Sequence, residues 1–345
     1  MTLQSVTKPS TPPYALLRAG YPFLTTLGMR RVTTYCMDIV IGDNDELFVL
    51  CRADSPGLGG SNIRRTNWND DDLDTLGGGK LLWPVQMIRD AEGTLYVSDE
   101  GSHKIIKFKQ DGTFVGEWGE EGSGEGQLNR PSGIAFDANE DLWVVDTLNH
   151  RVQKFNKDGR FISRFGAKGS GPGEFDMPWG ITADGEGNIL VADWHNDRVQ
   201  KLTADGEFIM EFGSSGSGDG EFHRPAGVEV DHHGDIYVVD RGNNRVQLFN
   251  PAGKYVDKFI GDATLSKSGE TYVRANPAVL RNREMANTEQ QKRMRGAASV
   301  RFDNQGRMYI PDFGSHRIQV YIKQAYELTP EEIAPVPNHP TLYTV

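Results

Sequence analysis

Cysteine is nearly absent: Cys36 and Cys51 are the only two in 345 residues, too few for a disulfide framework. No run reaches the roughly 18 apolar residues that a bilayer-crossing helix needs. The opening stretch, MTLQSVTKPSTPPYALL, lacks the charged start and apolar core of a secretory leader. These absences lead us to expect a cytoplasmic protein without a membrane segment. Positive charge is also short. Lys and Arg number 37 against 48 Asp and Glu, a net charge of −11. That argues against a nucleic-acid or anionic-membrane surface, because phosphate contacts need clustered cations. The glycine-rich stretches GSGEG and GSGPG lack the Lys-Ser/Thr ending of a phosphate loop, and no serine-nucleophile elbow stands between a strand and a helix. What is abundant is Gly (40), Pro (17), Phe (16) and Tyr (11), which suits many short strands joined by tight turns.

The chain repeats itself. Pro84, Pro131, Pro178 and Pro225 recur every 47 residues, and so do Asp99, Asp146, Asp193 and Asp240. Each unit reads like RPSGIAFDANEDLWVVDTLNHRVQKFNKDGRFISRFG, four short period-two strand patterns separated by turn residues. Two less regular units, at 36–52 and 297–323, bring the number to six. A four-stranded unit of this length, repeated, predicts an all-β, six-bladed β-propeller of antiparallel blades. The last unit ends after its third strand, near Lys323. A ring needs its edges covered, so an N-terminal strand at about 14–23 is expected to supply the missing outer strand. The expected organisation is one propeller domain over 1–323, interrupted by a basic, partly helical insertion at 262–294, and a proline-rich tail over 324–345.

The pattern P-x-G-I-A-x-D…N-I-x-V-A-D-x-x-N-x-R-V-Q-K-F…G-x-F resembles the NHL repeat over about 36–323. The resemblance implies a six-bladed propeller but no single function: such repeats occur in partner-binding and RNA-binding modules and in a metal-dependent amidating lyase. In those lyases, histidines next to the repeated proline bind zinc. Here Val85, Ser132, Trp179 and Ala226 stand there, which departs from the lyase pattern.

A phrase such as VVDTLNHR occurs five times, pairing Asp146 with Arg151, Asp193 with Arg198, Asp240 with Arg245, Asp312 with Arg317 and Asp99 with Lys104. A charge pair in every blade fixes a turn rather than performing chemistry, and the repeat-equivalent His103, His150 and His316 read the same way. Departures from the repeat are more informative. Directly after the repeated Asp stand Glu100, Thr147, Trp194, Arg241 and Phe313, with Arg52 at the matching place in the first unit, in loops expected to open on one face around the central channel. Next to them, His195 is peculiar to one blade. Trp179 follows its proline, and His223 and Arg224 precede theirs. At the innermost-strand position where three blades have Gly133, Gly180 and Gly227, the first two have Asp38 and Gln86. An aromatic, imidazole and guanidinium set around a concave mouth is what a small-molecule site uses.

The expected ligand-binding residues are therefore Trp179, Trp194, His223, Arg224, Arg241, Arg52, Phe313, Asp38 and Gln86. His195 is the candidate general acid or base. For a divalent metal, the set to consider is His195, His223 and Asp38, against the three or four ligands a zinc centre wants. Residues 53–60 enlarge one loop of the first blade. The insertion at 262–294 is read as a lid or docking element, helical from Pro277 with Asn276 as cap. Two functions follow: a propeller that binds a small-molecule or protein ligand at its mouth, or a hydrolase or lyase with its pocket beneath the lid. Cys36 and Cys51 fall nearly opposite each other on the first hairpin, as a cross-strand disulfide or as buried thiols, the latter favoured in a reducing compartment.

Overall fold

The computed structural model describes residues 17–28, 33–53 and 60–327. Six four-stranded antiparallel sheets follow one another around a ring. Blades 1 to 5 span Cys36–Leu76, Pro84–Trp118, Pro131–Phe165, Pro178–Phe212 and Pro225–Phe259. Blade 6 takes three strands from Arg301–Ile322 and its outer strand from Phe23–Leu27. No helix among the described residues is long and apolar enough to cross a membrane.

The sequence pattern accounts for the layering within a blade. The second strand is buried along its whole length, as in Leu142–Asp146 and Ile236–Asp240, because a neighbouring blade covers each of its faces. Such strands read as apolar runs (LWVV, IYVV) rather than as alternation. Outer strands keep an exposed face: in Phe161–Phe165 the three central residues are exposed. Clusters between blades form the core, for example Tyr96, Ile105, Leu128, Ile134, Val144 and Phe155 between blades 2 and 3.

The repeated phrase staples the ring. Asp146, fully buried, accepts hydrogen bonds from Arg151 Nε (2.7 Å), Asn149, Gln153 and the Asn129 N–H. The Arg151 guanidinium then donates to the carbonyls of Ser123, Gly124 and Gln127 in the glycine-rich turn between blades. Blades 4 and 5 repeat the arrangement through Arg198 and Arg245. The structural reading therefore holds for the four Asp–Arg pairs, Asp312 accepting from Arg317 Nε at 3.1 Å. It does not hold for Asp99 and Lys104: Asp99 accepts from the Gly101 and Ser102 N–H groups instead, and Lys104 of blade 2 pairs with Glu117.

Closure differs in register from the sequence expectation. The closing strand is Phe23–Leu27, paired with Arg317–Ile322 (Thr25 opposite Val320, Leu27 opposite Ile318), and meets the expected segment only at Phe23. Leu17–Gly20 instead pairs with Gln324–Glu327 in a separate ribbon. Pro22 divides the two strands, since proline cannot donate to a ladder. Strand pairing thus continues four residues past Lys323, to Glu327. Residues 14–16 of the expected strand and 328–345 of the expected tail lie outside the described residues, as do 54–59 of the first-blade loop.

The insertion contains three helices, α1 (Lys267–Ala275), α2 (Pro277–Glu284) and α3 (Glu289–Lys292). Pro277 opens α2 as expected, but Asn276 donates to the Tyr272 carbonyl instead of capping it. The unforeseen α1 begins at Ser266, whose hydroxyl accepts from the Gly269 N–H. Cys36 and Cys51 are buried thiols that form no disulfide, directly opposed in register.

Candidate ligand-binding site at the channel mouth

The loops between second and third strands, together with the turns that lead into the next blade, enclose a cavity of about 490 Å3. The five residues that follow the repeated Asp, Glu100, Thr147, Trp194, Arg241 and Phe313, line it together with Arg52, which follows Cys51 at the same place in blade 1. The reason is symmetry: each blade delivers the same backbone position to the rim, and only the side chain differs. Trp83, Arg130 and Met177 enter from the position before the repeated Pro, and Met37 and Trp179 from the position after it.

Cations and rings dominate the lining. Arg52 donates to Glu100 Oε1 at 2.5 Å, and Arg130 lies 3.5 Å from the same oxygen. Both guanidinium groups also face the Trp83 ring, at 5.4 and 5.5 Å from its centre. Across the cavity Arg241 lies over Phe313, 5.1 Å from the ring centre, in the range of a cation–π contact. No described residue hydrogen-bonds the Arg241 guanidinium. Burial, and then the like charge of Arg52, lower its pKa from the ordinary arginine value. Trp179 and Trp194 pack ring to ring at 5.0 Å, tilted by 34°.

Of the residues expected from the sequence, Arg52, Trp179, Trp194, Arg241 and Phe313 meet in this cavity. Five do not line it. His195 turns toward Asp176, with its Nδ1 at 3.6 Å. His223 and Arg224 are exposed, and their backbone N–H groups donate to Asp240 and Asp197. Asp38 is buried deeper in the channel, where it accepts from the Ile39 and Met87 N–H groups and pairs with Arg301 at 2.5 Å. Gln86 lines the narrow throat below, and its Oε1 accepts from the Ile134 N–H. Among the described residues no group of three or more His, Cys, Asp or Glu is placed to hold a metal ion, so His195, His223 and Asp38 do not form the set considered.

Spacing between inner strands explains Asp38 and Gln86. A Cβ on Gly133 would stand 2.5 Å from the Trp179 carbonyl oxygen, and one on Gly180 2.7 Å from that of Ala226. In blades 3 and 4 the strands leave no room for a side chain at this position, whereas at Gly227 in blade 5 a Cβ would meet the Val239 side chain at 3.1 Å and no backbone closer than 3.6 Å. In blades 1 and 2 the side chain itself bridges to the next blade's backbone. The sequence reading missed Arg301 and Glu229, which are joined at 2.8 Å below the throat. Both occupy an inner-strand position held elsewhere by Val40, Ile88, Ala135 and Thr182. Two opposite charges in that uncharged column were the available signal. The reading noted Glu100 without choosing it, and passed over Arg130 and Trp83.

The insertion does not cover the mouth, contrary to the lid expectation. Its contacts lie on the outer rim at the seam of blades 6 and 1: Thr264 N–H to Thr26, Lys267 to Asn69, and Ser268 to Asp70. No residue of 262–294 lines the cavity.

The NHL repeat family matches residues 128–155, 175–202 and 222–249. No curated protein sequence matches the chain. Among solved structures, a Bacteroides thetaiotaomicron protein of unknown function is similar at 17% identity and TM-score 0.61, over 89% of this chain and 76% of that one. A virginiamycin B lyase from Staphylococcus aureus is similar at 13% identity and TM-score 0.54, over 92% and 90%. A protein provisionally assigned as a gluconolactonase is similar at 14% identity and TM-score 0.57, over 92% and 95%. At these identities the likeness is one of fold.

Proposed function

We propose that this chain, a six-bladed propeller carrying NHL repeats, binds a small ligand with an anionic group in the cavity at its channel mouth. The observation that carries the reading is the convergence of Arg52, Arg130 and Arg241 on a space with one lining carboxylate, Glu100. Like charges brought together away from water are costly unless a counter-charge joins them, and Arg241 has no hydrogen-bonded one among the described residues: Glu100 acts on it only through space, less than burial and the like charge of Arg52 do. A cavity of about 490 Å3 is also of small-molecule size, which favours a small ligand over a protein segment.

The test is calorimetry with four probes: glucuronate, glucose 6-phosphate, benzoate and 1-naphthyl phosphate. At least one binds with 1:1 stoichiometry. Arg241→Ala weakens it by about 10- to 100-fold, the equivalent of one charge-assisted hydrogen bond, and leaves the thermal melt in place. Failure of all four probes to bind, or equal binding by the variant, overturns the reading. A hydrolase or lyase acting in the same cavity is the second reading, supported by Glu100 as a lining acid–base group and by the fold shared with a lyase. Mass spectrometry of probes and their ester or lactone derivatives after incubation would reveal turnover.

A further inference from the structure

Resting on the anion-binding reading, we infer that the ligand is an acidic sugar, a hydroxyl-bearing ring that carries a carboxylate or phosphate. Three features of the cavity set separate demands. The first is charge. Three guanidinium groups against one carboxylate leave an excess of positive charge on the lining, so the ligand carries net negative charge. A zwitterionic amino acid, neutral overall, leaves that excess in place.

The second demand comes from Glu100. Its side chain is 4% exposed, and Oε1 is taken by Arg52 and Arg130. Oε2 has no hydrogen-bond partner among the described residues, on a residue that lines the cavity. A ligand that strips water from this oxygen and offers no donor in return leaves it with its full desolvation cost. The ligand must therefore present a donor to Glu100 as well as an anion to Arg241. A sugar hydroxyl does this, whereas a plain aryl acid cannot.

The third demand is shape. Trp83, Trp179 and Trp194 offer flat apolar faces, while the guanidinium groups and Glu100 supply the polar contacts. A pyranose has the matching division, with C–H bonds on its faces and hydroxyls around its edge, so that its face stacks on indole while its rim hydrogen-bonds.

The experiment extends the calorimetry to glucose and ranks the five probes on the wild-type protein. Glucuronate or glucose 6-phosphate binds at least tenfold more tightly than glucose, and more tightly than benzoate or 1-naphthyl phosphate. Glu100→Gln weakens the acidic sugar about tenfold and leaves the aryl acids unchanged or improved, because it removes a negative charge they must face. If the aryl acids bind and the acidic sugars do not, this inference fails while the anion reading stands. If no anion binds, or Arg241→Ala changes nothing, the anion reading itself fails. Since Glu100 is ion-paired, Glu100→Gln could unfold the rim, so the wild-type ranking decides on its own.

Discussion

His150 accepts a hydrogen bond at Nδ1 from the Met177 N–H at 3.0 Å, and His103 and His316 do the same for Arg130 and Tyr35. Asp197 and Asn244 fill the slot in blades 4 and 5, accepting from Arg224 and Gly296. The residue in this slot is left-handed in every case, which aims its side chain at the next blade. The histidines are thus interblade acceptors, as their repetition in the sequence suggests. The acceptor role requires neutral imidazole. Burial holds the His150 pKa below its ordinary 6.5, against the pull of nearby Asp176. The unfolded chain then binds more protons than the folded one between the two pKa values, so stability rises with pH there. The His150 contribution is whole above 6.5 and lost as pH falls through the lowered folded value. Urea unfolding of wild type and His150→Asn, which keeps an acceptor, should show it: the wild type loses its advantage, or falls behind, between pH 8 and pH 5. A difference that stays constant or grows on acidification would refute the assignment.

At the scale of elements, the insertion is separable from the ring. Its ends meet through the Ala263 N–H and Lys292 carbonyl at 3.3 Å, so residues 264–291 leave and return at one place. Three side contacts, to Thr26, Asn69 and Asp70, hold it to the rim. Replacing 264–291 with two glycines should lower the melting temperature by only a few degrees, on the order of 1 kcal/mol for a domain of this size. Probe affinity at the mouth should stay within twofold, and a tenfold loss would restore the lid. Helicity from Pro277 was legible because proline and its flanking residues act locally. Placement was not, because it depends on a turn of blade 1 about 200 residues away in sequence. The same limit applied to Arg130 and Trp83: their positions precede the repeated Pro, but only packed blades show which of those side chains turn inward.

For the whole molecule, the join between chain ends is the critical seam. Phe23–Leu27 completes blade 6. Tyr21 hydroxyl meets Tyr237 hydroxyl at 2.9 Å, and Tyr237 donates to Asp231. Buried Lys323 pairs with Asp231 and Asp235 at 2.5 and 2.7 Å. An ion cluster this far from water tolerates no missing partner. Removing residues 1–27 would strip the outer strand from blade 6 and expose the edge formed by Arg317–Ile322. Size-exclusion chromatography should find the truncated chain aggregated or oligomeric, and a monomer with wild-type melting behaviour would refute this account of closure.

The sequence by itself determined the six blades, the turn-fixing Asp–Arg pairs and the ring of positions that faces the mouth. Each is written several times over at short range, so local periodicity and turn chemistry suffice. The three-dimensional structure alone decided which of those positions share a cavity, that His195, His223 and Asp38 stand apart, and that Phe23–Leu27 closes the ring. It also decided that Glu100 and Arg241, 141 residues apart, line one cavity. Curling the blades into a ring brings distant residues together, and no spacing along the chain encodes those distances.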